Sequence, residues 1–393
     1  MKKRNISYLW VCVLLYLYTM LAYSPLEFQA LYTLVPAAFG LSIIASDNKY
    51  NVYMKLLFCL YGWILLSWTS AKYTDLATAQ LHQILGCILF TVPVYHLAKK
   101  HKYVYWAYGM WVLFYVVCVR FAMNNIMSIS FNFADERLSQ ESGGLDGNHF
   151  SQYTVFLTFI LFIFGEFCDN LKYKKYLIFS FWLIIPITFY VSIVTASRQV
   201  LLIGVPLIAS LLYIRYLKGS STRNKTQFLL IASVLALMLF ARFASTYENS
   251  YLAQRNQESI EEDTRLTLLK NSFEVGWENP FLGVGPGNFC KYSFNGYNAA
   301  HNSFGEIFAN SGFPALIIYV AMLWIFINRQ RKRYRYSQDK RYLMFLIFGL
   351  FYTIDNFFMS FHTSPRLICF FILLATHAEL YYKEEMNKKY LIK

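Results

Sequence analysis

Three side chains in this sequence have the type and the setting for shared chemistry: Arg198, Arg265 and His301. Arg198 lies in TASRQ, where one apolar run ends and the next begins. Arg265 opens the amphipathic stretch TRLTLL, and His301 precedes Asn302 at the edge of a further apolar run. A guanidinium offers a planar fork of donors that matches phosphate oxygens, and a helix N-terminus adds backbone N–H groups and a positive dipole end. Two Arg at one membrane face beside a helix N-terminus therefore suit a diphosphate. A neutral imidazole, with an ordinary pKa of about 6.5, can take a proton from a hydroxyl near neutral pH.

Plainer readings stand beside these. Arg198 could snorkel to lipid phosphate, Arg265 could be an exposed helix charge, and His301, one of seven His, could be a packed interfacial ring. Glu306, five positions after His301, is not well spaced to pair with it on a helix. Asp355 and Arg366 flank a later turn on the same side, where they could face the same cavity or form a structural ion pair. Arg120, Glu166 and Arg242 also lie in or beside apolar runs. Gly283, Gly285 and Gly287 are read as turn formers, because no strand precedes them as a dinucleotide fingerprint requires. No His, Cys, Asp or Glu set has metal-ligand spacing, so a metal would have to come from scattered residues, and no cofactor is assigned.

The elements that must position these groups are membrane helices. The chain of 393 residues is 57% hydrophobic, 19% aromatic and only 15% charged, more apolar surface than a soluble domain can hide. Runs of about 20 apolar residues, enough to cross a bilayer, divide it into about twelve spans. They fall near 6–23, 26–45, 52–70, 77–98, 103–123, 149–168, 176–195, 199–217, 227–244, 304–327, 342–361 and 365–382. The expected fold is an all-α polytopic membrane protein. The first run follows MKKR like a signal peptide but continues into the next span, and is read as a retained helix.

Lys and Arg collect in alternate loops. Lys2, Lys3 and Arg4, then Lys99, Lys100 and Lys102, then the dense set from Arg329 to Arg341 all fall on one side with both termini. That side is read as cytoplasmic. The net charge of +14 is thus a topology and anionic-lipid signal, with no nucleic acid as a partner.

Two loops on the opposite side are long. Residues 124–148 are Ser- and Gly-rich. Residues 245–303 contain all the Gly-rich turn, Arg265 and His301, and separate helices of 1–244 from those of 304–393. Within this loop, apolar positions 266, 268, 269, 273 and 275 predict a short amphipathic helix on the outer leaflet, capped by Asp263 or Thr264 and ended at Asn279-Pro280. Trp277, Phe281, Phe289, Tyr292, Phe294 and Tyr297 argue that the loop is ordered.

Together, Ser197-Arg198 opening a span, Thr264-Arg265 opening a helix, NPFLGVGPGNF at 279–289 and HNSFGEIFANSGFPALI at 301–317 make the chain resemble the O-antigen ligase and O-antigen polymerase superfamily. The resemblance runs from about Thr195 to Ala321. It implies a metal-independent enzyme at the periplasmic face of the bacterial inner membrane, acting on an undecaprenyl-diphosphate-linked oligosaccharide. Carried over by motif, Arg198 and Arg265 would bind the lipid diphosphate and His301 would be the catalytic base; Asn302, Asp355 and Arg366 are further substrate-binding candidates. Displacement at the anomeric carbon in one step inverts its configuration.

The acceptor would be a second lipid-linked repeat in a polymerase, or lipid A-core in a ligase. The HNSFGEIF segment and the aromatic content favour the polymerase. A chain-length regulator is a further candidate partner, beside membrane lipids. The rival from another class is a lipid-linked oligosaccharide transporter, which calls for polar residues spread through both halves of the chain. Here they collect in the second half.

Overall fold

The computed structural model describes residues 49–99, 101–128, 147–168, 171–198, 200–227, 264–296 and 299–391, with positions 229, 230, 233, 244, 247, 248, 250 and 253. The expected spans at 6–23 and 26–45, most of the one at 227–244, residues 129–146 and the proposed cap Asp263 lie outside them.

Helices account for almost all of the described chain. In order they are α1 (Val52–Ser67), α2 (Thr74–Ala98), α3 (His101–Ser128), α4 (Gly147–Phe167), α5 (Leu171–Val194), α6 (Val205–Leu212), α7 (Thr264–Glu278), α8 (Ser303–Ser337), α9 (Lys340–Asp355) and α10 (Pro365–Leu391). Wide-turn segments Val200–Gly204 and Tyr213–Leu217 flank α6. Among the described residues, seven helical segments are long and apolar enough to cross a membrane: Val52–Ser70, Thr74–Ala98, Tyr103–Arg120, Gly147–Phe167, Tyr173–Val194, Val200–Leu217 and Ser303–Ser337. The chain is a multi-pass helical membrane protein.

Of the last two expected spans, the first differs from the reading above. The helix expected over 342–361 covers Lys340–Asp355, 16 residues, or roughly 24 Å of rise, and the chain then turns through 356–364. α10 covers the span expected at 365–382, and its first turns are buried by the protein itself. Leu367 to Ala375 have no exposed surface, and Phe370 stacks on Phe156 of α4 with ring centroids 4.3 Å apart. These two helices are the centre of the bundle. Hydroxyls on α4 bond back to its own carbonyls, Ser151 to Gly147 at 2.8 Å and Thr154 to Phe150 at 3.0 Å, so its polar residues stay satisfied away from water.

The span expected over 304–327 falls within the membrane-length helix Ser303–Ser337, but not as one continuous helix. The helix breaks at Gly312, whose φ of 75° and ψ of −178° are not helical. Gly tolerates that conformation, and Pro314 two positions on lacks the N–H that would rejoin the ladder. Ser303–Gly312 is buried on all sides, and the span proper begins after the break.

The two ends of the bundle are chemically distinct. At one, Arg329 and Arg333 pair with Glu379 at 3.1 and 2.8 Å, and Tyr381 donates to Asp339 at 2.5 Å. Glu166 likewise pairs with Arg215 at 2.9 Å. At the other end, the turn after α1 meets the loop 279–296.

Candidate functional site

The break in α8 organises the loop that precedes it. In an unbroken helix the Ala309 carbonyl would accept from Phe313 N–H and the Asn310 carbonyl from residue 314. Phe313 instead donates to Pro280 O at 2.7 Å, and Pro314 has nothing to donate. Both orphaned carbonyls are taken by the Gly-rich loop: Val284 N–H donates to Ala309 O at 2.9 Å and Gly285 N–H to Asn310 O at 3.0 Å. The Asn310 side chain accepts from Phe289 N–H at 2.9 Å, and Trp63 of α1 donates to Ser311 O at 3.0 Å.

The glycines are needed for this approach. Gly283 and Gly285 have φ of 66° and 93°. A Cβ on Gly283 would lie 2.4 Å from the backbone of Asn310 and Ser311, and one on Gly312 would lie 2.1 Å from Phe281 O. The expected turn-forming role thus has a second part, close backbone contact. Asn288 ties the far end of the loop down, accepting from Tyr73 N–H at 2.7 Å and donating to Tyr73 O at 3.1 Å.

α7 starts at Thr264 and ends at Glu278, as Asn279-Pro280 predicted. Its buried positions 268, 272, 275 and 276 face α8. The small residues Ser272 and Gly305, and Gly276 and the Phe308 ring, are in close contact across the pair. In both helices the numbering rises together, so they run side by side with their N-termini at the same end. That register puts Arg265, on the first turn of α7, at the same end of the helix pair as His301, which precedes α8.

His301 is exposed and has φ of 51°, an uncommon left-handed conformation for a side chain with a Cβ. The next residue, Asn302, is buried and caps α8. Its Oδ1 accepts from Gly305 N–H at 2.9 Å and its Nδ2 donates to Phe357 O at 3.1 Å. Ser303 then donates to Met359 O and accepts from Phe361 N–H, both at 2.8 Å. Glu306, one turn on, accepts from the Ser360 hydroxyl. The N-terminus of α8 is therefore bolted to the turn that links α9 and α10. Asp355, buried at the end of α9, enters that turn.

Arg366 and Arg198 approach from the other side of α4. Arg366, on the first turn of α10, donates to the Tyr153 hydroxyl at 2.9 Å and lies over the Phe114 ring at 4.6 Å. Arg198 follows a tight reversal at the end of α5. Ala196 there has φ of 48°, and Ser197 N–H reaches back to Ser192 O at 3.1 Å, the 6→1 bond of a helix C-cap. Thr195 of this reversal meets Ser151 of α4, hydroxyl to hydroxyl, at 2.7 Å. Ser151 and Tyr153 thus hold the reversal that carries Arg198, and Arg366 itself, against the first turns of α4, on different faces of that helix.

By the elements that carry them, the candidates fall in two groups. One holds Arg265, His301, Asn302 and Asp355 around the start of α8; the other holds Arg198 and Arg366 around the start of α4. The turn 356–364 and the first turn of α10 connect them. Sequence reasoning missed Tyr153, whose signal was its place in the polar stretch HFSQYT at the head of an apolar run. It also missed the Glu306–Ser360 bond, which no spacing within one helix could show.

The described residues define a multi-pass helical membrane protein whose candidate residues lie at helix ends. Residues 179–320 match the family model described as O-antigen ligase, a stretch that contains Arg198, Arg265, His301 and Asn302. Over that stretch the chain is similar to membrane glycan enzymes of the O-antigen ligase and polymerase type, as the motifs implied. No curated protein matches the chain.

Proposed function

We propose that the protein is a membrane glycosyltransferase that moves an undecaprenyl-diphosphate-linked oligosaccharide onto an acceptor hydroxyl at the periplasmic face of the bacterial inner membrane, with both termini cytoplasmic. The observation that carries this reading is the family match over 179–320, which takes in every motif bearing Arg198, Arg265 and His301. The parallel packing of α7 and α8 supports it, because Arg265 and His301 then lie at the same end of the pair.

In the proposed reaction His301 takes the proton from the acceptor hydroxyl. The acceptor oxygen forms its bond to the anomeric carbon as the bond from that carbon to the diphosphate oxygen breaks, and the configuration inverts. Negative charge grows on the departing lipid diphosphate. Arg198 and Arg265 receive it in place of a divalent cation, with Arg366 a further donor-binding candidate, and such stabilisation of developing charge lowers the barrier most. Asn302 holds the backbone that presents His301, and Asp355 remains a substrate-binding candidate beside it in the turn that receives the start of α8. The loop over the site limits water, which would otherwise hydrolyse the donor.

Within this class the polymerase is our reading, with a second lipid-linked repeat as acceptor; HNSFGEIF and the aromatic content support it over the ligase. The test is the surface glycan of a deletion strain carrying wild type or His301→Ala at equal abundance. A single repeat on the core in the deletion supports the polymerase, whereas bare core with accumulated lipid-linked polymer assigns the ligase. Unchanged glycan length with His301→Ala removes His301 as the base.

A further inference from the structure

An exposed apolar face runs the length of α8 beyond its break. Phe313, Ile317, Val320 and Trp324 are 49%, 50%, 44% and 61% exposed, at spacings of four, three and four that place them on one helix face. The opposite face, with Ala315, Tyr319, Met322 and Phe326, is buried in the bundle. The exposed face ends at Arg331, which is exposed on the same line. From Phe313 to Arg331 the helix rises about 27 Å, close to the roughly 30 Å hydrocarbon thickness of a bilayer. With Arg331 at one interface, Phe313 stands at the other.

At Phe313 the apolar surface does not stop. Phe313 N–H bonds to Pro280 O, and Phe281 beside it is 74% exposed. Trp277, at the end of α7, is 69% exposed and meets Phe308 edge-on with centroids 5.4 Å apart; Phe308 in turn lies 6.2 Å from Phe313. Glu274 and Glu278 are exposed beside Trp277 on the same helix, so the ring borders water as well as the apolar surface.

We propose that Trp277, Phe281 and Phe313 form an interfacial anchor, inserted at the boundary of headgroups and acyl chains and seating loop 279–287 on the bilayer. The occupant is the lipid surface, because the patch continues a lipid-facing stripe whose length matches the membrane. Aromatic rings favour that boundary. The anchor does not depend on the transferase reading. Its consequence is that the Gly-rich loop bonded to Ala309 and Asn310 is held at headgroup depth.

The test uses the full chain in bilayer nanodiscs. The tryptophan emission of wild type minus that of Trp277→Phe isolates Trp277. We expect most of this difference to be lost when the phospholipid is brominated near the top of its acyl chains, with little loss for bromine near the chain ends or for aqueous iodide. Quenching by iodide alone would place the patch in water, as a glycan-stacking face requires, and overturn the anchor. Shielding from both quenchers would mean protein covers it, also overturning it. As a second measurement, amide exchange over 279–287 should quicken about tenfold in the double variant Trp277→Ser, Phe281→Ser while α8 beyond Pro314 is unchanged. Unchanged exchange in the loop would also overturn the proposal.

Discussion

Gly285 donates its backbone N–H to the Asn310 carbonyl across 3.0 Å, and that carbonyl is available because the residue four positions on is Pro314. A helix that surrenders its own hydrogen bonds thus acquires a loop as partner. The seat of the candidate site is this exchange, and the first prediction tests it. Gly283→Ala or Gly312→Ala forces a Cβ into backbone at 2.4 or 2.1 Å and adds left-handed strain. Each should destabilise the protein by at least about 2 kcal/mol, read as a lower unfolding temperature in detergent, whereas Gly296→Ala, with open space around it, should cost only its φ strain. Equal temperatures for all three would contradict the close-contact role.

Asn302 is engaged at both ends of its side-chain amide. Asn302→Ala removes an N-cap and strands a buried N–H, so stability should fall by about 1–2 kcal/mol. Asn302→Ser restores the acceptor and should recover most of that loss. If Asn302→Ala unfolds at the wild-type temperature yet loses activity, the residue serves substrate and not the cap.

Arg198→Lys and Arg265→Lys keep the charge but lose the fork. Under the diphosphate reading each should lower kcat/KM for the lipid-linked donor by at least about tenfold, about 1.4 kcal/mol, with normal membrane insertion. Full activity in both would sink the clamp.

Tyr153→Phe removes the hydroxyl that receives Arg366 at 2.9 Å while leaving the ring under the guanidinium. A charged hydrogen bond of this kind contributes about 1.5–3 kcal/mol. If Arg366 holds the donor, KM should rise about tenfold with kcat little changed. Loss of thermal stability without a kinetic effect would instead make the pair structural.

Much of this protein was legible before any coordinates. Composition required a membrane protein, because so many apolar side chains cannot be hidden from water in one small core. The periodicity and Asn279-Pro280 marked α7 to the residue at its C-terminal end, and the motif order around Arg198, Arg265 and His301 agreed with the family match. These are local signals, carried by residues a few positions apart.

The tertiary structure decided what depends on partners far along the chain. Gly312 and Pro314 were visible in the sequence. That their freed carbonyls would accept from Val284 and Gly285 was not, since a hydropathy run reads straight through the break. Likewise Arg366 and Tyr153 are 213 positions apart, and α10 looked like any other apolar segment until the bundle closed around it. Hydrophobicity sorts residues away from water by type alone, whereas a hydrogen bond needs two groups within about 3 Å, and only the packed helices determine which two meet.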